Sequence, residues 1–262
     1  MVSGRPKHFT ELVRISSYQG DERYAGTDLM KKWTSVKIAL MPDGKTISLN
    51  EHDGNYSIRV DGAELMSTRR HASEEKIAEL ACAHIAGIPG ARVLIGGLGF
   101  GFTLRSALSA LAGDATVVMV EILAAVVAWN RNPSFNLAAC ALADPRVIVL
   151  QKDVGEVIRE SPDSFDSIIL DVDNGPAALS TGSNRHLYDS EGLHRARAAL
   201  RPGGCVAIWS AAADPAFEKL MASAGFEVDV QRCRAHANSG GRHTLFIGRA
   251  RRPGPERFST NS

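Results

Sequence analysis

The chain has 262 residues, 44% hydrophobic and 23% charged, with a formal net charge of +1. That balance is ordinary for a globular protein, and so small a charge offers no field for gathering nucleic acid or coating an anionic membrane. The longest apolar run, residues 117–129, is too short to span a bilayer and is interrupted by Glu121.

The first residues, MVSGRPKHFTEL, lack the apolar core of a signal peptide. Four cysteines (82, 140, 205 and 233) stand far apart with no CxxC pair, which argues against a disulfide or zinc framework. Cys233 and His236 with His243 are the nearest approach to a metal cluster, and their spacing is too loose to assign one. The expectation is a cytoplasmic protein with no membrane, nucleic-acid or metal partner.

Residues 1–34 are polar and aperiodic and carry no assignment. From 35 to 67, short alternating pieces (SVKIALM, TISLNE, YSIRVDG, AELMS) are punctuated by PDGK, HDGN and DG, which predicts a small antiparallel β-unit spanning 35–72. Ser73, Glu74 and Glu75 read as a helix start, a capping hydroxyl followed by acids. Ile77, Leu80, Ala81 and Ile85 give that helix an apolar face, and Gly87 and Pro89 end it.

Beyond residue 90 the runs ARVLIG, TVVMVE, RVIVLQ, FDSIILD and CVAIWS are nearly all apolar, as in parallel strands buried on both faces. Helical patterns separate them, including Leu104, Ala107, Leu108 and Leu111, and later 189–200 and about 214–223. FEVDVQR and RHTLFIG follow, joined by a loop too short for a crossover helix, so they should pair antiparallel. The predicted fold is α/β: a doubly wound, mostly parallel, Rossmann-like seven-stranded sheet over 73–248 with an antiparallel last strand. Residues 249–262 read as a disordered tail.

In an open α/β sheet the ligand sits beyond the carboxyl ends of the strands. The first such strand ends in Gly96-Gly97-Leu98-Gly99-Phe100-Gly101, where missing side chains admit a ligand to the backbone. The second ends at Glu121, 22 residues after Gly99, where a carboxylate can accept from both ribose hydroxyls. The third ends in Gln151-Lys152-Asp153, and the fourth in Asp171-Val172-Asp173-Asn174-Gly175-Pro176. A glycine turn and an acid after strand two suit NAD as well as S-adenosylmethionine. The GxGxG spacing, and acids after strands three and four that hydride transfer does not require, favour an adenosyl sulfonium. Taken singly, Glu121 and Asp153 also read as a solvated strand-end acid or a helix cap.

Together, VLIGGLGFG, VVMVEI, DPRVIVLQKDV, FDSIILDVDNGP and LRPGG resemble, in order, the motifs of the spermidine synthase-like branch of the class I S-adenosylmethionine-dependent transferases. DGAELMSTRRHASEEKIAELACAH resembles that family's link between a small β-domain and the catalytic domain. The resemblance implies Gly96, Gly97, Gly99 and Gly101 as cofactor loop, Glu121 on the ribose, and Asp153 with Val154 at the adenine. It implies Asp171 beside an amine nucleophile, S-adenosylmethionine or its decarboxylated form as co-substrate, and a homodimer contact through residues 35–67. Three departures stand out. Leu98 or Phe100 occupies the place of the family's loop aspartate. The acids after strand four are spaced differently. His71, Glu74 and Glu75 stand, with no tyrosine, where the family's linker carries a Tyr-His or Tyr-Gln pair followed by Glu.

Alkyl amines are protonated at neutral pH, so a nearby carboxylate must take up the proton; Asp171 or Asp173 is placed for this. Asp173 and Asn174 also read as an Asx turn. Asn174, Tyr188 and Trp209 are candidate acceptor-pocket residues, the last two also readable as plain packing, and His186 and His194 receive no role. A decarboxylated donor presents an ammonium and wants a carboxylate near Leu98 to Phe100. Its absence tilts the reading toward methyl transfer from intact S-adenosylmethionine to a small amine. The alternatives are aminopropyl transfer to a polyamine, a non-catalytic adenosyl-binding protein, and an NAD dehydrogenase.

Overall fold

A computed structural model describes residues 32–41, 43–172, 175–176, 184–234 and 241–250. Asp173, Asn174 and His236 lie outside the described residues, as do 1–31 of the unassigned N-terminal segment and 251–262 of the tail. The chain divides into two compact units between Thr68 and Arg69.

The first unit is a four-stranded antiparallel sheet in sequence order, β1 (Thr34–Leu40), β2 (Thr46–His52), β3 (Asn55–Val60) and β4 (Ala63–Ser67). Two of the three Asp-Gly dipeptides turn with positive φ at each residue: Asp53 and Gly54 at 49° and 75°, Asp61 and Gly62 at 48° and 84°. That is the turn whose twist matches a two-residue hairpin. Ile47, Leu49 and Ile58 are buried on one face, while Ile38 and Leu40 on the edge strand are exposed.

The second unit opens with α1 (Ala72–Cys82), followed by a 3₁₀ turn at Ala83–Ile85. Alternation then runs β5 (Arg92–Gly96), α2 (Phe102–Ala110), β6 (Thr116–Val120), α3 (Ala124–Arg131), a 3₁₀ turn at Pro133–Phe135, α4 (Ala139–Leu142), β7 (Val147–Leu150) and α5 (Val154–Arg159). It continues with β8 (Phe165–Leu170), α6 (Arg185–Tyr188), α7 (Ser190–Ala199), β9 (Leu200–Ser210), α8 (Pro215–Ser223), β10 (Phe226–Arg234) and β11 (Arg242–Ala250). The seven strands lie in the order β10-β11-β9-β8-β5-β6-β7, with β11 antiparallel to both neighbours and the pairs from β9 to β7 parallel. This is the predicted Rossmann-like α/β fold. Residues 93–96 of β5 and 167–170 of β8 are wholly buried, as strands covered by helices on both faces must be.

Register sets the position of the site. Gly96 pairs with Val120 on one side and Leu170 on the other, Val120 pairs with Leu150, and Leu170 pairs with Ile208. Four of the parallel strands, β5 to β8, therefore end level and β9 runs two residues further to Ser210, so the residues that follow them emerge along one edge. Because β11 runs the other way, its beginning falls at that same edge: Thr244 pairs with Ser210, next to Trp209.

Two local expectations change. Ser73 does not cap α1; the cap is His71, without a side-chain bond, and the Ser73 hydroxyl turns inward. β11 continues through Ala250, because Phe226 pairs with it and keeps the ladder closed.

Phe217 of α8 meets Tyr188 and Phe246 edge-on, with ring centroids 6.1 and 5.2 Å away. Phe246 of β11 is almost fully buried, so Phe246→Ala should cost about 3–5 kcal/mol. A urea unfolding midpoint for the second unit that does not fall would contradict this packing.

Candidate active site

The loop from Gly97 to Gly101 leaves β5 and enters α2. The Gly97 N–H donates to the Val120 carbonyl at 2.9 Å, and the Gly101 N–H to the Leu98 carbonyl at 2.7 Å. Gly97 and Gly101 have φ of 91° and 73°, where an L side chain is strained. Space forbids one as well: a Cβ on Gly97 would strike the Asp171 carbonyl, and one on Gly101 would sit 2.5 Å from Ala138 Cβ. Gly96 is equally tight, since its Cβ would lie 2.8 Å from Val154 Cγ2 at the start of α5. The sequence candidates Gly96, Gly97, Gly101, Val154 and Asp171 are thus brought against one another.

Glu121 closes the loop from the next strand. Only 8% exposed, it accepts the Leu98 N–H on Oε2 at 3.0 Å and the Leu123 N–H on Oε1 at 2.8 Å. Each carboxylate oxygen has a second lone-pair direction for another donor. Two residues that sequence reasoning missed hold the loop from outside. Asn130 of α3, fully buried, donates to the Gly99 carbonyl at 2.8 Å. Arg105 of α2 donates to the Phe100 carbonyl at 3.1 Å and the Leu137 carbonyl at 3.0 Å. The side chains of Leu98 and Phe100, each 3% exposed, turn inward and bring no charge to the loop.

Asp153 caps α5, its Oδ1 accepting the Glu156 N–H at 3.0 Å. His186, unassigned from the sequence, places Nε2 3.7 Å from that same oxygen. Tyr188 is buried, and its hydroxyl donates to the Val172 carbonyl at 3.1 Å, steadying the backbone just after Asp171. Trp209 meets His243 edge-on at 4.6 Å, and its buried Nε1–H has no hydrogen-bond acceptor among the described residues. His194 lies apart on α7, turned to the Ser190 carbonyl.

Asp171 follows β8 at the centre of the edge. The Thr103 hydroxyl donates to its Oδ2 at 2.7 Å. Burial, reinforced by the negative charge of Glu74, pushes its carboxyl up to about 7 in spite of that bond. Glu74 lies in the first turn of α1, where burial likewise raises its carboxyl while the Ser73 hydroxyl, 2.5 Å from Oε2, pulls the other way. Two carboxyls that resist ionisation beside a glycine loop can hold a cation or exchange a proton with one. Cys233 and His243 face each other on β10 and β11, and no group of three or more metal-ligating side chains occurs among the described residues. Among the same residues, no helix is long and apolar enough to cross a membrane.

The family model of the spermine/spermidine synthase domain matches residues 70–225. No curated protein matches the chain by sequence. Among solved structures, a spermidine synthase in complex with the transition-state analogue AdoDATO is similar with TM-score 0.64 and 19% identity, over 82% of this chain and 72% of that one. Spermidine synthase from Thermotoga maritima gives 0.65 and 18% over the same shares. The Burkholderia thailandensis 1,6-didemethyltoxoflavin-N1-methyltransferase, with bound 1,6-didemethyltoxoflavin and S-adenosylhomocysteine, gives 0.50 and 20% over 69% of this chain and 79% of that one. At these identities the structural likeness speaks for the fold.

The raised carboxyl of Asp171 carries a stability signature. The folded protein holds the proton up to about 7, whereas an ordinary aspartate releases it near 3.8. The increment is complete below the lower value and disappears as pH rises to the upper one. Asp171→Asn lacks it, so native minus variant stability should fall by on the order of 2 kcal/mol between about pH 4 and about pH 8. Denaturant titrations that show a constant difference would remove the shift.

Proposed function

Because this chain belongs to the spermine/spermidine synthase family, we propose that it is a transferase that moves a carbon group from an adenosyl sulfonium donor to a small amine. The catalytic unit is the second compact unit, and its site is the carboxyl edge of the seven-stranded sheet. The observation that carries this reading is the junction of the Gly97–Gly101 loop with Glu121 and Asp171, three features from three adjacent strands.

The residues present suit such a donor. Gly96, Gly97, Gly99 and Gly101 leave backbone open to a nucleoside and its sulfonium chain. Glu121, held by the Leu98 and Leu123 N–H groups, accepts from the ribose hydroxyls. Asp153 and Val154, at the start of α5, border the adenine. When bound, the donor supplies a carbon made electrophilic by S⁺; the protein's part is alignment and handling of the acceptor's proton. Asp171, whose carboxyl titrates near neutrality, holds an ammonium acceptor and takes its proton. Thr103 fixes the carboxyl's orientation, and Trp209 lends its Nε1–H to the acceptor side.

The group moved is methyl, from intact S-adenosylmethionine. With Leu98 and Phe100 turned inward, the loop has no carboxylate for the lone ammonium of a decarboxylated donor, whereas its backbone N–H groups suit the carboxylate of the intact one. Aminopropyl transfer is the second reading, favoured by the family match.

Calorimetry with S-adenosylmethionine, its decarboxylated form and methylthioadenosine separates the two. Intact donor should bind at least about tenfold tighter than the decarboxylated form, the worth of one charge-assisted contact; the reverse order establishes aminopropyl transfer instead. Glu121→Gln should weaken all three ligands about 10–100-fold. Unchanged affinity would take Glu121 off the ribose.

A further inference from the structure

One hydroxyl joins two titratable groups from opposite ends of the second unit. Ser73 Oγ, fully buried, lies 2.5 Å from Glu74 Oε2 and 2.9 Å from His243 Nδ1, 170 residues away on β11. A hydroxyl has one proton to give and lone pairs to receive, which permits two arrangements of this chain. With Glu74 ionised, the Ser73 hydroxyl donates to the carboxylate and accepts from His243 Nδ1–H. With Glu74 protonated, the carboxyl donates to Ser73, which donates to a bare Nδ1, and the imidazole proton sits on Nε2. The second holds one proton more than the first: as Glu74 passes a proton to Ser73 and Ser73 passes one to Nδ1, the Nε2 proton leaves to solvent and the first arrangement results.

We infer that Glu74, Ser73 and His243 form a proton relay that runs from Glu74, whose charge acts on Asp171, to the partly exposed His243. The relay rests on the transferase reading above. There, Asp171 takes a proton from the ammonium; the neutral nitrogen then forms a bond to the donor carbon, the C–S bond breaks, and its electron pair stays on sulfur. The product leaves as a substituted ammonium that carries the donor's positive charge. With Asp171 neutral, Glu74 passes its own proton to Ser73 as Ser73 passes one to His243 Nδ1, and His243 releases its Nε2 proton to water. One proton is taken from the acceptor and one given to solvent, so charge and atoms balance.

The surroundings bring the two ends together in proton affinity. Burial raises Glu74; burial and the Arg70 cation lower the His243 imidazole. The other charged or titratable groups facing them are His71, Glu75 and Lys76 beside Glu74 on α1, Arg105 of α2 opposite Glu75, Asp171 after β8, and Cys233 of β10. His71 is occupied elsewhere, stacked 4.2 Å from Phe102 and 3.1 Å from Glu75. Trp209 presses edge-on against His243 and fixes its ring. Glu74, Ser73 and His243 are positioning residues; of the titratable groups named, Asp171 meets the acceptor.

The test is nitrogen and carbon NMR of His243 and Glu74 across the pH range, in the full chain and in Ser73→Ala and Glu74→Gln. The relay requires the His243 tautomer to change from Nδ1–H to Nε2–H in the same step in which Glu74 takes up its proton. It requires Ser73→Ala to erase the shared step and Glu74→Gln to leave one tautomer throughout. A native His243 that keeps one neutral tautomer, or a shared step that survives in Ser73→Ala, overturns it. With donor and amine present, Ser73→Ala should lower kcat at least tenfold, with recovery on adding imidazole as an external base; unchanged kcat overturns the proton-transfer role. Calorimetry with S-adenosylhomocysteine on the same samples keeps the readings apart. Loss of nucleoside binding by the native protein sinks the transferase reading while the NMR result still decides the relay.

Discussion

The shared register of five parallel strands is the constraint on which the site depends. Hydrogen-bond ladders tie Gly96 to Val120 and Leu170, and through them to Leu150 and Ile208. Side chains alternate between the two faces of a sheet, so a slip of one residue would turn Glu121 or Asp171 to the opposite face. The apolar residues before each end hold that register, because a slipped strand would also expose buried valines and isoleucines. Core packing and site geometry are therefore one requirement. The antiparallel β11 adds to it from the far side by delivering His243 to the edge where its neighbours stop.

On this frame the glycine loop is held before any ligand arrives. Asn130 takes one loop carbonyl, Arg105 another, and Glu121 the Leu98 N–H. A loop fixed in advance loses little conformational freedom on binding. Burying Glu121 has a cost, which its two backbone donors offset. On the acceptor side the logic is reversed. Asp171 and Glu74 are partly buried with few donors, which raises both carboxyls, Asp171 to about 7. One acid holds structure through backbone N–H donors, and two are poised to exchange protons.

Much of this was legible in the sequence. Near-continuous apolar runs from 92 onward marked parallel strands, and the residue after each run named Gly97, Glu121 and Asp171. The antiparallel pairing of the last two strands followed from a short connection. The α1 start was misread because Ser73 before two acids is locally indistinguishable from a cap; its partner lies 170 residues away. Asn130 was invisible because an asparagine at the end of an apolar run looks like a helix terminus rather than a clamp on a distant carbonyl. His243 was recoverable in principle: an antiparallel last strand must begin where its parallel neighbours end. His186 had no signal, since its approach to Asp153 depends on how α6 lies over α5.

The most direct measurement is a calorimetric titration of the full chain with S-adenosylhomocysteine. It carries the adenosyl group common to both proposed donors and needs no acceptor. Saturable binding with one molecule per chain, lost in Gly97→Val, is the result predicted from the loop geometry. No heat of binding at millimolar nucleoside, or binding that Gly97→Val leaves intact, would contradict an adenosyl site at the carboxyl edge of the sheet.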